Sequence, residues 1–143
     1  MNKPILIQNI IKRFNKKINM SADKSLSIRF AILASLATGK SKAYNLLKSE
    51  DVMNTLKCLK KLGVKIKLNE KYCSIDGRGL NSYVFKDNLT IDAGNSGTAA
   101  RLICSTLIKS PKKIKIIGDR SLSNRDMKRV IDPLKKFGAN FYP

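Results

Sequence analysis

A chain of 143 residues with 43% apolar side chains can bury one core of ordinary size and is too apolar for a disordered tail. It has no histidine, which excludes a Ser-His or Cys-His nucleophile and a His-ligated metal, and its three cysteines form no Cys-x-x-Cys pair, which argues against zinc and dithiol chemistry. The formal net charge of +19 leaves two readings, a nucleic-acid binder or a solvated basic surface around a smaller anion site.

In chain order, residues 5–11 are apolar and read as a strand, and Phe14 with Ile18 suggests a second short strand. No apolar run approaches the ~20 residues needed to span a bilayer. No signal-peptide pattern opens the chain, so a soluble, cytoplasmic protein is expected. The odd number of scattered thiols (Cys58, Cys73, Cys104) suits a reducing compartment. Ser21-Ala22-Asp23 supplies capping chemistry for a helix over residues 25–37, where Leu26, Phe30, Leu33 and Ala37 recur at helical spacing and Gly39 closes the element. Residues 43–47 read as a short strand. Glu50 and Asp51 then open a second helix, at the end where negative charge suits the macrodipole. That helix carries Val52, Leu56 and Leu59 on one face and stops at Gly63, a left-handed cap candidate. Residues 64–68 alternate strictly, and a turn at 69–71 leads into a strand at 72–75, a hairpin.

After a Gly-rich turn at 76–79 the pattern restarts. A strand at 89–91 is followed by the tight loop Gly94-Asn95-Ser96-Gly97 and by a helix over 98–108. An alternating strand at 113–117, a loop at 118–124 and a helix over 126–137 complete it; Pro133 is expected to kink that helix, and Gly138 caps it. The restart is a repeat. Asp51 to Gly63 and Asp126 to Gly138 share a pattern at a constant offset of 75 (126 − 51 and 138 − 63). Upstream, Arg29 and Arg101 each follow a polar loop, 72 residues apart. The expected architecture is α/β, built from β-α-β-α-β-β units with helices on a sheet. Residues 1–18 would form N-terminal strands. Residues 19–143 would form one lobe, with repeat one at about 19–80 and a truncated repeat two at about 89–143.

The repeated feature is a polar, cation-bearing loop that opens a helix. Backbone N–H groups lack partners there and the dipole is positive, so anions bind. Lys24 and Ser25 stand at one such end, and Arg29 follows Ser25 by one turn. A lysine point charge, a hydroxyl and a forked guanidinium suit phosphate or carboxylate. Gly94, Asn95, Gly97 and Thr98 repeat the arrangement before Arg101, and Arg125 opens a later helix. Taken singly, each loop is an ordinary helix start, Asp51 and Asp126 read first as caps, and the arginines as surface residues. The repetition points to a small polyanion where helix N-termini converge. Most lysines, such as Lys57, Lys61 and Lys113, are scattered over exposed positions, and no basic run is interleaved with aromatics, so nucleic-acid binding is not expected.

At these residues the chain resembles the enolpyruvyl transferases, and among them the family that acts on shikimate 3-phosphate. Asp23-Lys24-Ser25-Leu26-Ser27-Ile28-Arg29 resembles that family's Lys-Ser-x-Ser-x-Arg signature. Gly94-Asn95-Ser96-Gly97-Thr98-Ala99-Ala100-Arg101 resembles Gly-Asn-Ser-Gly-Thr-x-x-Arg, and Gly118-Asp119-Arg120-Ser121-Leu122-Ser123-Asn124-Arg125 resembles Gly-Asp-x-Ser-Leu-x-x-Arg. The resemblance implies an inside-out α/β fold, of which this chain would be an incomplete N-terminal lobe. It implies transfer of a carboxyvinyl group from phosphoenolpyruvate to shikimate 3-phosphate, a step of aromatic amino acid biosynthesis. Lys24, Ser25 and Arg29 would contact shikimate 3-phosphate. Lys24, Asn95, Gly97, Thr98 and Arg125 would serve phosphoenolpyruvate, with Lys24 also moving a proton; Asp51 and Arg101 are further candidates. No metal or organic cofactor is implied. Two positions depart from the pattern: Ser21-Ala22 replaces Pro-Gly before the first signature, and Asp126 replaces Pro after the third. Family members are much longer, so the expectation is a fragment, a truncated gene or half of a split enzyme, inactive without a C-terminal lobe. The competing expectations are a stand-alone anion or nucleic-acid binding module that lost the chemistry, and a different enolpyruvyl transferase.

Overall fold

The computed structural model describes Arg13, Asn15 and residues 18–142. The expected strand at 5–11 lies outside the described residues, as does Phe14, and Ile18 belongs to no strand.

The first helix, α1 (Lys24–Leu36), starts one residue earlier than expected, because the Asp23 carboxylate accepts from the Leu26 N–H at 2.7 Å and caps it. It ends at Leu36, where Ala37 turns extended, and strand β1 (Thr38–Tyr44) follows directly. Gly39 therefore does not close the helix, and the strand expected at 43–47 lies further toward the N-terminus. The reason is tertiary. Gly39 is strand-paired opposite Gly77, and a methyl on Gly77 would sit 2.3 Å from the Ala34 and Ala37 carbonyl oxygens. The bare backbone of Gly77 lets the end of α1 press onto the sheet, and nothing in a local reading of glycine announces that.

Helix α2 (Glu50–Lys61) ends as expected. Gly63 adopts φ +87°, its N–H bonds the Lys60 carbonyl at 3.0 Å, and the Val64 N–H reaches back to Leu59 at 3.1 Å. Strands β2 (Lys65–Leu68) and β3 (Tyr72–Arg78) form the hairpin, with the Asn69 side chain accepting from the N–H groups of Lys71 and Tyr72. β3 runs through most of the stretch read as a Gly-rich turn and forms the centre of an antiparallel sheet ordered β1-β3-β2.

Strand β4 (Leu89–Asp92), helix α3 (Gly97–Thr106) and strand β5 (Ile114–Ile117) make a parallel pair joined through a helix, in a separate two-stranded sheet. The segment read as a loop at 118–124 contains a one-turn helix, α4 (Arg120–Ser123), capped by the Asp119 carboxylate on the Leu122 N–H at 2.7 Å. The helix expected over 126–137 is α5 (Lys128–Lys136), with Pro133 inside it. Asp126 is not its cap; its carboxylate accepts from the Lys128 N–H at 2.7 Å, just ahead of the helix. The C-terminus of α5 copies that of α2 at an offset of 75 (136 − 61): Gly138 has φ +87° and Ala139 N–H bonds Leu134 at 3.2 Å.

Helices α1, α2 and α3 touch one another, and the principal core joins both halves through Ile28, Ile32, Leu56, Leu59, Ile75, Ile91 and Ile103. Helices thus lie inside and strands outside, as the inside-out α/β expectation requires. α1 is apolar nearly all round, yet Leu26 and Leu33 remain 69% and 65% exposed.

Candidate anion site

The residues that open the helices are linked by a chain of contacts. Lys24 is the first residue of α1, and its ammonium lies 3.0 Å from a carboxylate oxygen of Asp51 in the first turn of α2. Lys24 is 54% exposed and Asp51 19%, so the pair orients Lys24 more than it stabilises the fold. Three residues along α2, Asn54 packs on Gly94 so closely that a Cβ on Gly94 would fall 2.1 Å from the Asn54 amide nitrogen. Gly94 also needs its φ of +59°, and its N–H is tied to the Asp92 carboxylate at 2.8 Å. Its carbonyl accepts from the Asp119 N–H at 2.9 Å, joining the loop ahead of α3 to the one ahead of α4.

Gly97 then opens α3, where the Ser96 hydroxyl accepts from the Ala99 N–H at 3.2 Å. Two guanidiniums lie over this glycine: a Cβ there would be 2.9 Å from Nη1 of Arg125 and 3.5 Å from Nη1 of Arg101. Arg125 is steadied by the Ser121 hydroxyl at 3.2 Å. Arg101 donates to the Asp126 carbonyl at 3.2 Å, while its Nε is buried without a partner, as is the Asn95 side-chain oxygen. Two arginines at a helix N-terminus, one with an unused donor, can hold a phosphate or carboxylate. Asp126 does not counter them directly, since its carboxylate is engaged by α5 and Arg101 meets only its backbone oxygen.

The structure therefore brings Gly97, Arg101 and Arg125 together, brings Lys24 to Asp51, and joins the two groups through Asn54 and Gly94. Thr98 lies half-buried on the first turn of α3. Ser25 and Arg29 share a different face of α1: Arg29 Nη1 bonds the Ser25 carbonyl at 3.2 Å. Five residues after Lys24, Arg29 lies roughly 140° round the helix from it. Nor are Arg29 and Arg101 equivalent. Arg29 is six residues past its cap (29 − 23) and Arg101 five past its own (101 − 96), which turns them about 100° apart. Sequence reading missed Asn54 and Ser121. Asn54 carries no local signal, because it acts through Gly94, distant in the chain, whereas Ser121 stands within the third signature, four residues before the Arg125 it contacts. Beside the site, Cys58 donates to the Asp92 carbonyl at 3.1 Å, and burial pushes its thiol up to about 11.

Comparison with known proteins shows the family. The sequence profile of the EPSP synthase (3-phosphoshikimate 1-carboxyvinyltransferase) family matches residues 8–142. A 3-phosphoshikimate 1-carboxyvinyltransferase of Syntrophomonas wolfei is 38% identical over 134 residues, 94% of this chain and 31% of the relative. One from Petrotoga mobilis is 40% identical over 132 residues, 92% of this chain and 30% of the relative. The solved EPSP synthase of Acinetobacter baumannii superposes with a TM-score of 0.79 at 31% identity, covering 87% of this chain and 28% of that one. The chain thus spans about a third of the length of the relatives it matches. With the family profile matched over residues 8–142, the chain belongs to the EPSP synthase family.

Proposed function

We propose that this chain supplies the opening part of the substrate site for transfer of a carboxyvinyl group from phosphoenolpyruvate to shikimate 3-phosphate. The observation that carries the reading is the pair of guanidiniums, Arg125 and Arg101, over Gly97 at the start of α3, connected through Gly94, Asn54 and Asp51 to Lys24. In this reading Arg125, the α3 N-terminus and Lys24 hold phosphoenolpyruvate, with Asn95 and Thr98 shaping the loop. Ser25 and Arg29, on their shared face, take the phosphate of shikimate 3-phosphate.

The reaction adds the shikimate hydroxyl oxygen to C2 of phosphoenolpyruvate, the hydroxyl giving up its proton to a base while C3 gains a proton from an acid. The tetrahedral intermediate then expels phosphate and loses a C3 proton, restoring the double bond. Fixed cations neutralise both anionic substrates and hold them side by side, so the chain's contribution is positioning and electrostatic. The Lys24 ammonium is the group here suited to moving a proton, and Asp51 orients it. The remaining length of the relatives would add a second lobe, with the acid–base group and cations this portion lacks. Three reduced, unpaired thiols fit a cytoplasmic setting.

Calorimetric titration of the 143-residue chain tests the reading. Both substrates should bind, and Lys24→Gln or Arg125→Gln should weaken phosphoenolpyruvate about 10- to 100-fold, the loss of one charge-assisted contact. Phosphate release by the chain with both substrates present should stay at background. Binding indifferent to both substitutions would remove the site, and turnover would show that no second lobe is needed.

A further inference from the structure

A second set of cations faces away from that site. The outer surface of the β1-β3-β2 sheet pairs Lys40 and Lys65 on either side of Asp76, and Lys42 and Lys67 on either side of Ser74. The next rung pairs Tyr44 with Tyr72. Residues two apart on a strand are about 7 Å apart, and β1 lies about 10 Å from β2 across the central strand. The four lysines therefore mark the corners of a rectangle of roughly those dimensions, over a depression of about 360 Å³. All four are exposed, and none is within 4.0 Å of a carboxylate among the described residues, where the one ion pair is Lys24–Asp51. Tyr44 is 70% exposed and meets Tyr72 edge-on at 6.4 Å, while Lys42 caps the Tyr72 ring at 5.3 Å.

Along the chain these residues look like scattered surface lysines. Alternation sets Lys40 with Lys42 and Lys65 with Lys67 on single strand faces, and strand pairing through β3 assembles the two pairs into a basic, aromatic-edged platform.

From this we infer that the outer face of the β1-β3-β2 sheet binds single-stranded nucleic acid, with phosphates along the lysine corners and a base stacked on Tyr44. Charge complementarity selects a polyanion: four cations surround a single carboxylate. The tyrosine pair selects nucleic acid over other polyanions, because an exposed ring stacks on any base, whereas polyphosphate and polyglutamate have no flat face to stack and gain at most a hydrogen bond from the hydroxyl. The face is independent of the substrate site. α1 packs on the opposite side of β3, where Gly77 meets the Ala34 and Ala37 carbonyls, so Lys24 and Arg29 do not reach the platform.

The test is fluorescence anisotropy of a labelled deoxythymidine oligomer of about 12 nucleotides, titrated with the full chain from about 50 to about 200 mM salt. Four phosphate contacts predict a slope of log affinity on log salt of about −3, falling to about −1.5 in Lys42→Gln/Lys67→Gln. Lys109→Gln/Lys135→Gln removes the same charge from exposed positions elsewhere and should bind as the parent does. Tyr44→Ala should bind about tenfold more weakly, and Lys24→Gln should bind normally, which separates this surface from the substrate site. Circular dichroism confirms that each variant is folded. Equal losses in the two double variants would reduce the effect to overall charge and overturn the inference. So would an unaffected Tyr44→Ala with polyphosphate competing as well as the oligomer, or polyglutamate competing equally, which would make the partner an acidic polypeptide. Absence of binding at the lowest salt would also overturn it.

Discussion

Adding a methyl at Gly97 should separate the anion site from the fold. The Cβ of an alanine would arrive 2.9 Å from Nη1 of Arg125 and 3.5 Å from Nη1 of Arg101. Ordinary carbon–nitrogen contacts lie at about 3.5–4 Å, so the Arg125 guanidinium must withdraw by half an ångström to one ångström, while Arg101 can stay. What yields is the tip of a flexible side chain held by one hydrogen bond to Ser121. The backbone is undisturbed, because Gly97 is not among the residues with positive φ, and alanine favours a helix over glycine by up to about 1 kcal/mol. Stability in urea should therefore stay within about 1 kcal/mol of the parent. Phosphoenolpyruvate affinity should fall about 10- to 100-fold, since one misplaced charge-assisted hydrogen bond is worth about 1.5–3 kcal/mol. Isothermal titration and urea unfolding on the same preparations measure both. Unchanged affinity would mean that Arg125 does not touch the ligand; a stability loss above about 2 kcal/mol would mean that Gly97 serves packing instead.

Gly118→Ala should behave oppositely, destabilising the chain by about 1–3 kcal/mol in urea, because its methyl would meet the Gly94 carbonyl at 2.6 Å and Leu122 at 2.3 Å, and a backbone carbonyl held by the Asp119 N–H steps aside less readily than a side-chain tip. A parent-like midpoint would show the two loops to be separable. Asp51→Asn should release Lys24 from its carboxylate and tighten phosphate-bearing ligands by less than about fivefold, the range of an exposed ion pair, as read by calorimetry. A loss of affinity would instead make Asp51 part of the binding surface. Alkaline stability should report Cys58. Its folded thiol keeps its proton up to about 11 against an ordinary value of 9.0, so the stabilisation is complete below pH 9 and is lost as pH rises toward 11. That loss is about 2–3 kcal/mol. Burial raises Cys73 and Cys104 in the same direction. Urea midpoints across this window should fall more gently in Cys58→Ala than in the parent, and parallel curves would exclude the thiol as the cause.

Helix ends were legible where the chemistry was local. The left-handed Gly63 and Gly138, the acidic start of α2 and the turn-forming Asn69 all act within a few residues of themselves, and the structure keeps them. The three polar signatures were legible through their resemblance to a family pattern, while local chemistry alone marked only helix starts and an anion site. The early start of β1 and the extension of β3 to Arg78 were not, because glycine in a strand is a poor local bet, accepted here so that α1 can approach Gly77. The one-turn helix α4 was hidden inside a motif rich in loop-forming residues.

How the candidate site is assembled was a matter for the folded chain alone. Counting from motif to motif made Arg29 and Arg101 look equivalent, yet one residue of difference from their caps sends one to Ser25 and the other to Asp126. Asn54 against Gly94, and four lysines on one sheet face, exist only after distant segments pair. Capping and periodicity are satisfied by neighbours a turn away and can be read in one dimension. The direction of a side chain depends on helix phase and strand register, which are set by what packs against the other side.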